Sequence, residues 1–445
     1  MTSPGSRYAV AMAFAVLAPL ADKVFLPGCR QPALAAEVRP QAARGEWPQW
    51  RGPKRDGTST ETGLVHDWSR KAPRLLWKAS GLGEGYSSIS LVAGRIYTMG
   101  DRGADQFVIA LSEETGKELW ATRLGASWKG GGYAGPRGTP TVDGALLYAV
   151  GPHGDLVCLD AKTGHLRWQK NFARDFGGRM MSHWGFSESP LVDGARLICT
   201  PGGSGAALVA LDKLSGGEIW RAALPNLGEG GRDGAGYSSI VISAGAGVKQ
   251  YVQLMGRGLV GVRADDGQFL WGYNRLANKT ANIPTPIVKG DYVFASTGYQ
   301  TGSVLLKLAR TFSGVAAEEV YFLDAKTLQN HHGGLILVGD YLYGGHGHKA
   351  GFPVCVEFLS GRVVWNGGRG PGSGSAAVAY ADGDLYFRYE NGTMALLEAT
   401  PDEYRLKGTF DIPDVEKPSW PHPVVVGGRL YLREQDALLC YDVRK

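Results

Sequence analysis

Arg137, Glu188, His332 and His422 are the residues of this chain best suited to do chemistry, yet they stand far apart in sequence. A guanidinium beside a carboxylate and imidazoles can hold an anionic ligand or move a proton. Tyr86, Tyr237 and Asn282 stand in comparable short polar segments and join them as candidate ligand-binding residues. Glu188 and Arg137 are also the candidates for any catalytic role. His346 and His348 have a spacing that suits a metal. No partner ligands can be placed beside them, so no metal site is assigned.

Residues so far apart need a repeating scaffold to meet. The stretch 156–168, LVCLDAKTGHLRW, gives its unit: an alternating apolar run to Asp160, a Thr163-Gly164 turn, and a short strand closing on Trp168. Trp77, Trp120, Trp168, Trp220 and Trp271 follow one another at 43, 48, 52 and 51 residues. From Trp271 to Trp365 is 94 residues, two periods of 47, so a copy without its Trp lies between. That fifth copy lacks the turn signature and ends at Val320-Tyr321-Phe322. Such a period with about four strands per unit is the mark of a β-propeller.

The eighth copy stops at Asp442 without a Trp strand, while the chain begins with an orphan one, Arg74 to Lys78. One missing strand and one spare strand complete a blade. The expectation is an all-β, eight-bladed β-propeller of four-stranded antiparallel blades, closed by pairing of the N- and C-terminal strands. The recurring residues have structural reasons. Gly takes the left-handed turn position, Asp binds nearby backbone amides, and Trp supplies apolar area where blades meet.

In such a blade the segment leading into the innermost strand shares one face with the loop between strands two and three. The Thr-Gly turns lie on the other face. The lead-in segments are 84–88, 133–137, 183–188, 236–239, 279–282, 331–334, 373–375 and 420–422; the middle loops add His153, Arg257, Tyr299, His346 and His348. Seven of nine histidines (153, 183, 331, 332, 346, 348 and 422) therefore share this face, and His66 and His165 do not. One reading is that long exposed loops collect polar residues. The other is an axial pocket where the candidates converge.

Composition narrows the partners. The net charge is only +5 and no Lys/Arg block exists, so nucleic acid is not expected as a partner. Arg7, an apolar run over 8–21 and small residues at 33–36 read as an export signal spanning 1–36, which places the mature protein in the periplasm or outside the cell. The rival is a lipoprotein anchor at Cys29, where Pro27 and the charges at Asp22 and Lys23 are atypical. The run is too short and interrupted to span a bilayer, so the mature chain is expected without a transmembrane segment. Residues 37–70, holding Trp47-Pro48-Gln49-Trp50-Arg51-Gly52-Pro53, form an extension expected to pack on the propeller of 71–445. Cys158, Cys199, Cys355 and Cys440 sit in apolar strands as core residues, with no disulfide framework expected.

The pattern A-L-D-x-x-T-G-x-x-x-W resembles the pyrroloquinoline quinone (PQQ) repeat of quinoprotein alcohol dehydrogenases and of BamB-like propellers of bacterial outer-membrane assembly. Segments 108–120, 157–168 and 209–220 match best and 356–365 in part; the resemblance runs from Pro73 to the end. It implies the propeller strongly and activity weakly, because its members include enzymes and scaffolds. One implied function is a monomeric binding or scaffold module that holds a small ligand, peptide or protein partner on the lead-in face. The alternative is a PQQ-dependent dehydrogenase of alcohols, polyols or sugars. It would use PQQ with Ca²⁺, with Arg137 on the quinone carboxylates and Glu188 as base. The chain has no adjacent-Cys pair and no Cys-x-x-Cys-His haem site. A glycan hydrolase is a third reading, which no paired-carboxylate signature supports.

Overall fold

Alternation of apolar and polar residues along short runs, broken every few residues by Gly turns, leaves the chain little choice but hairpins stacked on hairpins. The computed structural model describes residues 45–312 and 314–445, all within the compact unit Pro40–Lys445. The expected export segment, 1–36, and Cys29 within it lie outside the described residues. The strands form eight four-stranded sheets, each antiparallel and in sequence order, except the last. Strands within a blade are lettered A to D from the axis outward. Blade 1, for example, holds Ser90–Val92, Arg95–Arg102, Asp105–Ser112 and Glu118–Ala126.

Blade 8 is made from both ends of the chain. Its strands A to C are Val424–Val426, Arg429–Glu434 and Ala437–Asp442, and its strand D is Arg74–Ala79. Trp77 pairs with Cys440 and Ala79 with Leu438. The expected ring closure is therefore present.

The recurring turn does two jobs. In blade 2, Asp160 Oδ1 accepts from Thr163 N at 3.0 Å and from Thr163 Oγ1 at 2.9 Å, which tightens the C–D turn. Gly164 follows at φ +74°, and a Cβ there would lie 2.7 Å from the ring of Trp120 in blade 1. The turn glycines of blades 1, 3 and 4 meet Trp77, Trp168 and Trp220 of the preceding blades in the same way. So the glycine is required twice, for its backbone and for the neighbour's indole. A hydrogen bond joins the same partners: Trp168 Nε1 donates to Lys213 O at 3.2 Å, and Trp220 Nε1 to Ala264 O at 3.2 Å.

Blade 5 departs from the pattern. Its strands C and D, Gly302–Thr311 and Gly314–Asp324, form a long hairpin in place of the Thr-Gly turn. Trp271 of blade 4 has no turn glycine to meet, and its Nε1 donates to Gln250 Oε1 of its own blade. Cys158, Cys199, Cys355 and Cys440 are buried free thiols. Cys158, Cys355 and Cys440 each sit between a strand-B Tyr and the strand-D Trp, where a small side chain leaves room for both rings.

The extension crosses the ring at the end of the axial channel. Trp47 exchanges both backbone bonds with Leu91 of blade 1, and Pro48 O accepts from Val142 N of blade 2. Arg55 donates to Ser189 O and Pro190 O at the edge of blade 3. Trp50 Nε1 reaches Thr285 Oγ1 of blade 5 at 3.0 Å, and Arg51 donates to Leu335 O of blade 6. Tyr380 of blade 7 exchanges bonds with Gly57 and Ser59, and Glu61 accepts from Gly428 N of blade 8. One segment thus ties seven blades together. Gly57, at φ +80°, has no room for a side chain: a Cβ would lie 2.4 Å from Ile336 Cδ1.

Candidate functional site

Inner strands begin where the chain crosses from the rim toward the axis, so lead-in side chains from successive blades point at one another. They enclose an axial cavity of about 330 Å³. Blades 1 to 4 supply Tyr86, Tyr133, Arg137, Trp184, Ser187, Ser189, Tyr237 and Ser239. Blades 5, 6 and 8 supply Thr280, Ala281, Ile283, Pro284, Thr285, His331, His332, Gly334, Trp420 and His422. The B–C loops add Tyr299, His348 and Lys349, and the extension adds Trp50 and Arg51.

Five of the seven sequence-derived site residues meet here: Tyr86, Arg137, Tyr237, His332 and His422. Glu188 and Asn282 stand behind the wall. The Glu188 carboxylate accepts from Thr200 N and Thr200 Oγ1, both at 2.7 Å, and burial pushes its pKa up to about 7. Asn282 donates to Met255 O at 2.9 Å and Gly256 O at 3.1 Å, pinning the B–C loop of blade 4. Extended backbone explains the placement: Ser187 and Ser189 face the cavity, so Glu188 between them faces away. Sequence reasoning missed Trp50 and Arg51. Their signal was a short segment too rich in Trp and Arg for a solvated tail.

Four of the seven face histidines line the cavity: His331, His332, His348 and His422. His153 lies against Trp128 and His183 on Trp184. His346 Nδ1 accepts from Gln329 N at 3.2 Å. Arg257 pairs with Asp233. Among the described residues no cluster of three His, Cys, Asp or Glu could hold a metal ion.

The walls are aromatic and tightly interlocked. Trp420 lies 4.7 Å from both Tyr86 and Tyr133 and 4.4 Å from His332. His331 stacks on His332 at 3.6 Å, and its Nε2 is 3.1 Å from Tyr299 OH while Nδ1 is 2.9 Å from Ser375 Oγ. Tyr237 OH lies 2.7 Å from Ser182 Oγ. Arg137 is braced by Gly135 O and Tyr133 O at 3.0 and 2.7 Å and stands 5.7 Å over the Tyr86 ring. Among the described residues no carboxylate lines the cavity, whereas Arg51, Arg137 and Lys349 do.

Burial sets the protonation states. It lowers the Arg51 and Arg137 pKa values to about 10, which leaves both charged at neutral pH. It raises Tyr86 to about 12, so the phenol stays a donor. Burial, then neighbouring positive groups (Arg51, Arg388 and His332), lowers His422 to about 3. His332 falls to about 3 through burial, then His348, Arg137 and Lys349. The unfolded chain binds protons at these two sites near pH 6.5 and the folded chain does not. Stability contributed here is complete above 6.5 and lost as pH falls toward 3. Thermal unfolding should accordingly shift down over that window, and the His422→Gln variant should show a shallower slope. Equal slopes for variant and parent would contradict the assignment.

An eight-bladed ring of Trp-docked repeats with an axial cavity on the lead-in face defines a PQQ-repeat propeller. Residues 104–367, more than half of the chain, match the family described as outer membrane protein assembly factor BamB, and the chain belongs to that family. A curated BamB from Xanthomonas campestris pv. campestris is 32% identical over 110 residues, 24% of this chain and 26% of that protein. The match thus spans about a quarter of that relative's length. The crystal structure of BamB from Moraxella catarrhalis is similar at TM-score 0.60 and 15% identity, covering 83% of this chain and 100% of that one. Quinohemoprotein alcohol dehydrogenase from Comamonas testosteroni is similar at TM-score 0.62 and 13% identity, covering 91% and 82%. At such identities the two structures speak for the fold alone.

Proposed function

We propose that this protein is an exported binding propeller, a BamB-like module that holds a small ligand, a peptide or a protein partner on its lead-in face. The export segment read at 1–36 supports a place in the periplasm or outside the cell. No helix among the described residues is long and apolar enough to cross a membrane. The observation that carries the reading is the lining of the axial cavity: aromatic rings, neutral imidazoles and cations, with no Asp, Glu or Asn side chain among the described residues.

That lining also weighs against the dehydrogenase. The rings and arginines suit the flat, anionic body of a quinone such as PQQ. Calcium, however, asks for several oxygen ligands, usually carboxylates among them. A hydride or proton abstraction asks for a base within hydrogen-bond reach of the substrate. Glu188, the residue that would supply one, is turned away and held by Thr200. PQQ with Ca²⁺ therefore does not fit these residues as a catalytic pair, and no step is derived through it.

Reconstitution of the purified protein with PQQ and Ca²⁺ tests the choice. The expected result is no dye reduction with simple alcohols, polyols or sugars, and no calcium-dependent change in quinone absorbance. Calcium-dependent uptake with alcohol-driven dye reduction would establish the enzyme and remove the scaffold reading.

A further inference from the structure

We propose that the axial cavity takes a small ring-shaped oxyanion: a single ring, aromatic or pyranose, that carries one or more carboxylate groups. This rests on the reading of the cavity as a binding site and names the chemistry of its ligand.

Three observations converge. The first is charge. Buried cations are ordinarily paired with carboxylates inside the protein. Arg388, buried beside the cavity wall, obeys this and meets Glu434 at 2.6 Å. Arg51 and Arg137 are bonded instead to backbone carbonyls, at Asp56, Leu335, Gly135 and Tyr133. Neither makes an ion pair among the described residues, and Lys349 stands with them on the same wall. Arg51 and Arg137 are shielded from solvent and Lys349 beside them is exposed, so a lining with no carboxylate among the described residues leaves room for the ligand to supply countercharge to the two arginines.

The second is hydrogen-bond polarity. Trp420 Nε1, His422 Nδ1, His332 Nδ1, His348 Nδ1 and Arg51 Nε are buried without a partner among the described residues. All five belong to residues that line the cavity. The indole and guanidinium nitrogens can only donate, and a neutral imidazole can place its N–H on the free nitrogen. His422 is only 7% exposed, so water gives it little relief. A ligand rich in acceptors satisfies this set; a cation leaves these donors unpaired and is opposed by Arg51, Arg137 and Lys349, and an apolar ring leaves every donor unpaired.

The third is shape. Trp50, Tyr86, Tyr133, Trp184, Tyr237 and Trp420 give flat faces against which a ring can lie. The volume of about 330 Å³ is at the small end of ligand pockets. The extension places Trp50 and Arg51 across the axis in the lining, which favours a compact ligand over a threaded chain.

The test uses the full chain without its export segment, with tryptophan emission and calorimetry as readouts. The probes are benzene-1,3,5-tricarboxylate, galacturonate, galactose and benzyltrimethylammonium. The two acids should bind competitively and more weakly as salt rises, while galactose and the ammonium ion do not bind. Arg137→Gln should weaken the acids about tenfold, as expected for loss of a charge-assisted contact. Its melting temperature should stay that of the parent, and Lys349→Gln, which cannot disturb the braced 133–137 segment, should weaken them in the same direction. Binding by one acid alone identifies the ring as aromatic or as a sugar acid. Galactose or the ammonium ion binding as tightly as the acids overturns the oxyanion while leaving the cavity a binding site. Silence from all four probes overturns both.

Discussion

Deletion of residues 71–80 should abolish the soluble monomer. Those residues contain the whole of strand D of blade 8, Arg74–Ala79, which pairs with Ala437–Asp442 from the opposite end of the chain. Without it the ladder from Leu438 to Asp442 becomes an open edge, a template for pairing with another chain. The loss is larger than one strand. Trp77 packs between Tyr431 of its own blade, at 6.1 Å, and the turn glycine Gly116 of blade 1, so its removal unseats two blades at once. The link from the extension to blade 1 is also shortened by ten residues, although 45–64 holds seven blades through its own bonds. Trp77→Ala separates packing from strand loss. Because this Trp is partly exposed, it should cost about 3 kcal/mol, the low end for removal of an aromatic side chain. Size-exclusion chromatography and thermal melting read both variants. A truncated chain that elutes as a monomer with the parent's melting temperature would sink the closure as a source of stability.

The ring was legible in the sequence because its determinants are local and repeated. Asp160, Thr163 and Gly164 act within a few residues, and Trp168 meets the next blade one period away. Any single copy could mislead, but seven others correct it. Blade 5 shows the limit: losing the Thr-Gly turn was readable, but its replacement by a long hairpin, and the inward retreat of Trp271 to Gln250, depend on packing. The cavity was half legible for the same reason. Topology alone brings Tyr86, Arg137, Tyr237, His332 and His422 to the axis. Which of two neighbouring residues faces it is a matter of strand phase, and a shift of one position sends Glu188 to Thr200 instead. A period-two reading of Ser187-Glu188-Ser189 would have found this. Nothing local places Trp50 and Arg51 in the floor, because their partners Thr285 and Leu335 lie more than 200 residues away.

Arg388→Met should be among the most damaging single substitutions in the protein. The guanidinium is fully buried and donates to Ser419 Oγ at 2.9 Å, Pro421 O at 2.8 Å, Arg433 O at 2.6 Å and Glu434 Oε2 at 2.6 Å. Glu434 is 5% exposed, and its Oε1 has no hydrogen-bond partner, so Arg388 is the cation at hydrogen-bond distance from its carboxylate. Burial alone lowers the arginine pKa, and Glu434 works against that, which is the pattern of a pair that needs both members. Removing one member strands the other's charge, at a cost of about 3–5 kcal/mol. The double variant Arg388→Met/Glu434→Leu should recover most of that loss, since replacing both charges by apolar groups is often neutral. Recovery should not extend fully to the cavity. Pro421 sits between Trp420 and His422, and Ser419 precedes them, so the guanidinium helps to hold these two cavity residues in register, together with Ser88 Oγ on His422 O and Glu390 O on Ser419 N. Denaturant unfolding should thus report a stable double variant whose Trp420 emission and acidic-ring binding are altered. If the single variant lost less than about 1 kcal/mol, the range of an exposed pair, Arg388 would not be the clamp described. If the double variant regained both stability and binding, the cavity geometry would have to come from the aromatic packing around Trp420 and the bonds of Ser88 and Glu390 to this segment.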